Sequence, residues 1–317
     1  KRKNINAGIK LQFRNLDTFI HQDYKNSDLK YVKRFNDTRL SKEQFSEIIN
    51  YIHSKGITSV STPFDNESLP LFNDLGVGVL KIASCSVDDW PLLKEASEIN
   101  RKIIISTGGA TIKHLKKVYQ LFKNKGRDFA FLHCIAEYPT PIKNAFLNRI
   151  KKLKEEFPDI EIGYSTHESP NEQSVSPYAV AMGATIIEKH IGKTTDTINL
   201  NDYSCTVEQM ETVIDEIQLF ELASKGKFTR SKALESLKRG VYFKIELDSG
   251  FPIRESDLYY AMPLQEGCLS VADIDNIIGK TLKINGNCHD PIKADHLVDG
   301  ERLKTIKELT DKFNAIL

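Results

Sequence analysis

The 317-residue sequence has little that would tie it to a membrane, a nucleic acid or an oxidising compartment. No run approaches the ~20 apolar residues of a membrane span, and the first residues, KRKNINAG, lack the apolar core of a signal peptide. With 44 basic and 43 acidic side chains the net charge is +1, so the overall charge does not favour nucleic acid or an anionic membrane surface. Any binding of anions is therefore expected to be local.

The cysteines are few, odd in number and scattered, and no two of them form a C-x-x-C pair. This pattern predicts reduced thiols and a cytoplasmic location rather than a disulfide framework. Cys134 lies in the strand-like segment FAFLHC. We expect it to be a small buried apolar side chain rather than a nucleophile.

The sequence also lacks a G-x-G-x-x-G turn, which argues against a doubly wound dinucleotide-binding sheet. Short apolar runs rich in β-branched residues alternate instead with helix-like segments, an arrangement typical of a parallel sheet covered by helices. The runs are 9–13, 59–64, 79–84, 103–107, 129–134, 160–166 and 185–191. They predict an α/β fold of the TIM (β/α)8 barrel type. Because one strand is missing from the count, we expect a first strand and helix upstream of residue 1.

The pattern changes after the barrel-like part. Residues 1–225 read as the barrel and residues 226–238 as a linker. Short alternating strands with Gly and Pro turns predict a compact β-rich domain over 239–299. The tail 300–317 is amphipathic and predicts a helix or a further linker.

Two lysines stand inside predicted strands, Lys10 in GIKLQF and Lys81 in VLKIAS. A charged ammonium group directed into a barrel is costly unless it is paired, so a bound anion is one partner that would explain them. The alternative is that each lysine reaches the rim or meets a local carboxylate.

Hydroxyl and glycine residues recur at the predicted strand ends: Thr62 in STPFD, Ser84 in KIASC and Ser106 in STGG. Hydroxyls and exposed backbone N–H groups at such ends can form a phosphate-binding cradle. Each motif alone is equally compatible with a helix cap or a turn.

Two histidines lie at the ends of neighbouring predicted strands: His167 follows EIGYST, and His190 ends TIIEKH. Adjacent strands lie about 4.8 Å apart, so two such imidazoles can share one metal ion. Glu188 projects to the same face as His190 and could assist the ion or ligate it. The alternative is that each histidine is a satisfied core residue. His133 is interpreted as structural or supporting, and Tyr138 as a residue lining the pocket.

In combination, these motifs resemble the N-acetylneuraminate (sialic acid) synthase family. The barrel motifs are KLQF, STPFD, LKIAS, IISTGG, FLHC followed by YPTP, GYSTH, AVAMGATIIEKH and DYSCT. The segment from RGVYFKIELDSGFPI to LSVADIDNIIGKTL resembles the family's C-terminal SAF (antifreeze-like, β-clip) domain. The resemblance implies condensation of phosphoenolpyruvate with an open-chain, N-acylhexosamine-like aldose, giving a 3-deoxy-2-keto sugar acid and phosphate. It also implies a homodimer in which the SAF domain reaches over the partner's site.

The resemblance assigns roles residue by residue. His167 and His190 would hold Mn²⁺ or Mg²⁺, Tyr138 would touch the sugar, and Asp202 would lie near the sugar hydroxyls or the metal. His167, His190, Lys81 and Asp202 form the expected catalytic set. The residues expected to bind phosphoenolpyruvate are Lys10, Thr62, Lys81, Ser84, Ser106 and Ser165. The family's candidate water-activating glutamate, on the first strand, has no counterpart in this numbering.

Three positions depart from the family pattern, all on the acceptor side. Ala136 replaces an asparagine, Thr166 replaces an aspartate before the first metal histidine, and Met262 replaces an arginine of the SAF domain. The reaction class is therefore better supported than the acceptor. The alternatives are another barrel aldolase or phosphosugar enzyme, and a degenerate barrel that binds a sugar without catalysis.

Overall fold

The structure is a computed structural model that describes residues 4–172, 174–196, 199–229 and 231–314. The chain forms two compact units, which divide between Gly226 and Lys227. In the described parts of the chain no helix is long and apolar enough to cross a membrane.

Within the described residues, the first unit is built on a seven-stranded parallel sheet. Its strands are β1 (Gly8–Phe13), β2 (Thr58–Pro63), β3 (Val79–Ile82), β4 (Lys102–Ser106), β5 (Phe129–Cys134), β6 (Glu161–Thr166) and β7 (Ile187–Lys189). These are the seven strands predicted from the apolar runs. Each pairs with the next along the chain and the order never reverses, whereas a doubly wound sheet would contain a reversal.

The sheet curls so that its two ends approach each other. β1 and β7 stand at opposite ends of the hydrogen-bonded order, yet Lys10 Nζ of β1 lies 2.7 Å from Glu188 Oε1 of β7. A flat sheet with strands about 4.8 Å apart could not bring these residues together.

Helices connect the strands and start at sequence signals that satisfy their first N–H groups. Ser41 and Gln44 form a capping box at one helix, Thr206 and Gln209 at another, and Thr111 caps a third by accepting from His114 N–H. The helices of this unit are α1 (Leu16–Phe19), α2 (Lys30–Asp37), α3 (Lys42–Ser54), α4 (Leu69–Asp74), α5 (Trp90–Ala96), α6 (Ile112–Asn124), α7 (Asn148–Glu156), α8 (Val175–Ala181) and α9 (Val207–Ser224).

The main core lies between the sheet's outer face and these helices. Strand residues such as Leu80 and Phe131 are fully buried there with helix residues such as Leu115 and Phe122. Burial of each such side chain contributes about 1.5 to 3 kcal/mol. The core is thus formed by apolar side chains of the outer face, and polar residues can occupy the inner face.

The second unit has short antiparallel strands and its own core. Val241, Phe243 and Ile292 are fully or almost fully buried in it. Its elements are α10 (Lys232–Ser236), β8 (Gly240–Phe243), β9 (Leu258–Ala261), β10 (Thr281–Leu282), β11 (Leu297–Val298) and α11 (Glu301–Asn314).

Gly163, in the middle of β6, is a position where the packed sheet admits no side chain. A Cβ there would lie 2.4 Å from Leu132 Cδ2 and 2.5 Å from the Ile186 carbonyl oxygen. We predict that Gly163→Ala lowers the free energy of unfolding by about 2 to 3 kcal/mol through overpacking, measured by urea denaturation. Gly226→Ala is the control, because a Cβ at Gly226 meets nothing within 4 Å. Equal stability of the two variants would contradict the packing described for β6.

Candidate active site

The polar residues predicted on separate strands share the inner face of the sheet. Lys81 pairs with Ile104, two residues before Ser106; Ser106 pairs with Leu132, two before Cys134. Cys134 in turn pairs with Ser165, and Ser165 with Glu188. Because side chains alternate with a period of two, every even step stays on one face. The register therefore collects these side chains in a single concave surface.

At its centre one carboxylate joins two lysines. Lys10 and Ser165 both donate to Glu188 Oε1, at 2.7 and 2.9 Å. Lys81 Nζ lies 3.6 Å from Glu188 Oε2 and donates to Ser106 Oγ at 2.7 Å. A local carboxylate is thus a partner of both lysines, which was the alternative to a bound anion. Two ammonium groups against one carboxylate still leave a net positive charge in the cavity.

Charge and burial oppose each other in this cluster. Burial acts to raise the pKa of the Glu188 carboxyl, but attraction to Lys81 and Lys10, together with hydrogen bonds from Lys10 and Ser165, holds that pKa well below its usual range. Burial lowers the pKa of the Lys81 ammonium, and Glu188 acts in the opposite direction. The carboxylate is therefore ionised at neutral pH, and it supports the charged form of the buried lysine.

Hydroxyl groups and glycines surround the lysines at the strand ends. The N–H of Gly108 donates to Ser84 Oγ at 3.1 Å, and a Cβ on Gly108 would lie 2.6 Å from that oxygen. Gly109 has a φ of +76°, which favours glycine. The Thr62 hydroxyl is buried and has no hydrogen-bond partner among the described residues. Since buried polar groups are normally satisfied, Thr62 is suited to contact a ligand.

His167 and His190 meet at the rim, with ring centroids 5.4 Å apart. The Nδ1–H of His167 donates to the Ile135 carbonyl at 3.3 Å, which leaves its Nε2 lone pair free. Burial and the neighbouring His190 lower the pKa of His167 to about 4; burial and Lys10 lower the pKa of His190 to about 4. Both rings are therefore neutral at pH 7, the form in which imidazole ligates metals.

Two tyrosines enclose the histidine pair. The Tyr138 ring lies 4.5 Å from the His167 ring, and the Tyr203 ring 5.0 Å from the His190 ring. The sequence did not predict a role for Tyr203; its motifs assigned one to the neighbouring Asp202 instead. Asp202 is exposed; burial and, among smaller effects, the Asp202 carboxylate raise the pKa of Tyr203.

The donor set suits an ion that keeps water or substrate oxygens. In the described ranges no group of three or more His, Cys, Asp or Glu residues is placed to hold a metal, so a closed site with four protein ligands does not fit. Mg²⁺, by contrast, commonly binds few protein groups and retains several waters. Two neutral imidazoles fit a partly protein-ligated divalent ion.

Two residues near these motifs serve the fold. His133 is fully buried on the outer face of β5; its Nε2 lies 2.8 Å from the Ala145 carbonyl oxygen, and its ring stacks on Tyr164. This agrees with its interpretation as structural. Cys134 is buried, and burial raises the pKa of its thiol, so it is a poor nucleophile at neutral pH.

A buried carboxylate behind His167 was not anticipated from the sequence. Glu168 is fully buried and accepts hydrogen bonds from the hydroxyls of Tyr164 and Thr166. Lys189 Nζ donates to Thr166 Oγ1 at 3.3 Å. The Thr166 that departs from the family pattern therefore belongs to a polar cluster on the outer face. The one feature of the sequence that could have pointed to this cluster is the position of Glu168, two residues after the end of β6.

The fold and this site define a parallel α/β protein that gathers ligand-binding groups at the carboxyl ends of its strands. The chain belongs to the NeuB family, which matches residues 4–228. It is 30% identical to the N,N'-diacetyllegionaminic acid synthase of Campylobacter jejuni over 268 residues, 80% of this chain and 76% of that protein. It is 33% identical over 207 residues to the uncharacterized protein MJ1065 of Methanocaldococcus jannaschii, covering 63% of this chain and only 59% of that protein.

Among solved structures, the chain resembles a spore coat polysaccharide biosynthesis protein E from Chromobacterium violaceum. The TM-score is 0.82 and the sequence identity 37%, over 93% of this chain and 90% of that one. The membership in the family expected from the barrel motifs is therefore confirmed.

We predict that Glu188→Gln lowers the free energy of unfolding by about 3 kcal/mol, because it leaves the buried Lys81 ammonium without its carboxylate. Urea denaturation at pH 7 measures the change. Glu161→Gln is the matched control. Glu161 also forms an ion pair with a lysine of the sheet, Lys102, but its side chain is 45% exposed. The expected loss of unfolding free energy in this variant is below about 1 kcal/mol. A loss of similar size in both variants would contradict the central role given to Glu188.

Proposed function

We propose that the protein condenses phosphoenolpyruvate with an open-chain, N-acylhexosamine-like aldose to give a 3-deoxy-2-keto sugar acid (a nonulosonate) and phosphate. The observation that carries this proposal is the joint placement of Lys10 and Lys81 with His167 and His190. The ammonium groups line the cavity, and the neutral imidazoles stand at its rim. One end of the cavity thus suits an anion and the other a polarised carbonyl group.

The cavity supplies groups for both ends of phosphoenolpyruvate. Lys10 and Lys81 would neutralise its phosphate and carboxylate charges. The Thr62 hydroxyl, free of partners in the described chain, together with Ser84 and Ser106, would donate hydrogen bonds. Ser165, whose hydroxyl donates to Glu188 Oε1 in this structure, would donate to the substrate in exchange for that bond. Because Glu188 balances only one of the two ammonium charges, a net positive charge remains to attract an anionic substrate.

At the rim, His167 and His190 would hold Mn²⁺ or Mg²⁺. When bound, the ion would act as a Lewis acid that polarises the aldehyde oxygen of the acceptor. The Ile135 carbonyl fixes the His167 ring, and the Tyr138 and Tyr203 rings restrict the space around the pair. These tyrosines would orient the sugar, with Asp202 close to its hydroxyl groups.

The bond changes of the proposed reaction are as follows. The enol carbon C3 of phosphoenolpyruvate bonds to the aldehyde carbon, whose oxygen gains a proton and becomes a hydroxyl. Water adds to C2 and gives up one proton, which balances the proton gained by the aldehyde oxygen. The bond between C2 and the phosphate oxygen then breaks as the C2 hydroxyl passes its proton to the phosphate, which leaves the C2 keto group and hydrogen phosphate. The Lys81 ammonium is positioned to stabilise the departing phosphate charge.

The proposal also covers the second unit and the oligomeric state. Its region 239–299 would be an SAF-type domain, exchanged in a homodimer over the partner's site, and the free cysteines suit a reducing cytoplasm. Size-exclusion chromatography with light scattering tests the dimer. A monomer at micromolar concentration would remove the exchange from the proposal and leave the chemistry of the first unit unaffected.

The direct test of the function is phosphate release from phosphoenolpyruvate with Mn²⁺ and a panel of N-acylated hexosamines and simple aldoses. Acceptor-dependent phosphate release is expected, with a keto acid product. Absence of release with every acceptor, in a protein shown to bind phosphoenolpyruvate, would contradict the proposal.

We predict that His190→Ala lowers the metal-dependent turnover at least about 100-fold, because loss of several kcal/mol of charge stabilisation has that effect. Calorimetric titration with Mn²⁺ in the absence of substrates should show weakened binding, while circular dichroism and the Tm show a retained fold. His21→Ala, at a side chain 71% exposed, is the control. Unchanged turnover and Mn²⁺ binding in His190→Ala would refute the metal assignment.

A further inference from the structure

Arg34 places a guanidinium group at the acceptor side of the rim. It lies on α2 and donates a hydrogen bond to the side-chain oxygen of Asn201. Asn201 is in the loop that returns from β7; its amide donates to Ser204 Oγ at 3.4 Å, and the N–H of Cys205 donates to the His190 carbonyl at 2.9 Å. The loop that holds Arg34 is therefore anchored on the backbone of His190.

Arg34 lies close to the rim because its partner Asn201 is two residues before Tyr203 in the same loop. The Tyr203 ring packs on the His190 ring, with the two centroids 5.0 Å apart. The loop that carries Asn201 therefore brings the guanidinium to the part of the site where the histidine pair lies.

Among the described residues, no carboxylate forms an ion pair with the Arg34 guanidinium. Of the described residues, no Asp or Glu lies within 4 Å of its guanidinium, although nearby Arg39 pairs with Asp17 at 3.1 Å. Its partner Asn201 is a neutral amide that occupies one of five N–H donors. If Arg34 served only to tether the loop, a neutral hydrogen-bond donor would serve as well. A half-buried, unbalanced guanidinium is instead suited to an anion supplied by a ligand.

We infer that Arg34 is a specificity-determining residue that binds an anionic group, phosphate or carboxylate, on the acceptor aldose. This inference rests on the proposed function and deepens it by naming the acceptor's chemical class. In the proposed reaction Lys10 and Lys81 hold phosphoenolpyruvate, which leaves the guanidinium near Tyr203 available for the other substrate. The planar fork of the guanidinium can take either oxyanion in a bidentate manner.

The test compares three acceptors at saturating phosphoenolpyruvate and Mn²⁺: an N-acetylhexosamine, its 6-phosphate, and the corresponding hexosaminuronic acid. The wild-type enzyme should prefer at least one anionic acceptor by about 10- to 100-fold in kcat/KM, the range expected of a charged hydrogen bond. The phosphate and uronate arms distinguish the two sources of the anion.

Arg34→Gln should remove most of this preference, chiefly through a higher KM for the anionic acceptor, with little change for the neutral one. Arg34→Lys should keep part of it. Lys33→Gln is the matched control, because it removes one positive charge from an exposed position of the same helix. It should leave the preference unchanged.

The inference is overturned if the wild type does not prefer an anionic acceptor. It is also overturned if Arg34→Gln slows all three acceptors equally, or if it raises only the KM for phosphoenolpyruvate. Should no acceptor be turned over, calorimetry with Mn²⁺ and each sugar alone separates this inference from the proposed reaction. Tighter binding of an anionic sugar that Arg34→Gln abolishes would support the inference, and equal or absent binding would overturn it.

Discussion

The ion-pair cluster of Glu188 with Lys10 and Lys81 is the interaction on which the site depends. Each lysine would be expensive to keep charged in the cavity without a carboxylate, and Glu188 serves both. The same contact joins β1 to β7, the two ends of the sheet's order. One ion-pair cluster therefore both bridges the two ends of the sheet and sets the charge of the cavity. An anionic ligand would compete with Glu188 for the lysines, and each ammonium group would then still have a negatively charged partner.

Much of this could be predicted from the sequence because strands obey simple periodicity. All seven strands of the sheet were visible as apolar runs. Residues at even spacing, such as Glu188 and His190, were correctly expected to share a face. Placing His167 beside His190 needed only the rule that neighbouring parallel strands end at the same edge.

What the sequence did not reveal depends on contacts across the curl or within loops. Whether Lys10 met a ligand or a carboxylate was left open, because Glu188 is 178 positions away and no local pattern links them. Tyr203 rather than Asp202 packs on His190, and this is set by how the loop after β7 turns. A role for Arg34 could not be predicted, because arginines are common on polar helices. Its contact with Asn201 exists only in the folded chain, where the loop after β7 lies against α2.

The two halves of the cavity also influence each other electrostatically. Lys10 contributes to the low pKa of both rim histidines, and Lys81 and Arg34 to that of His190. The positive charge that would attract a phosphate thus also discourages protonation of the imidazoles and keeps their lone pairs available. A cavity with the same histidines but fewer cations would hold an anion less tightly, and its histidines would become protonated at a higher pH. The cationic groups therefore favour binding of an anion and keep the imidazoles neutral, while their own charge opposes binding of a divalent cation at the same rim.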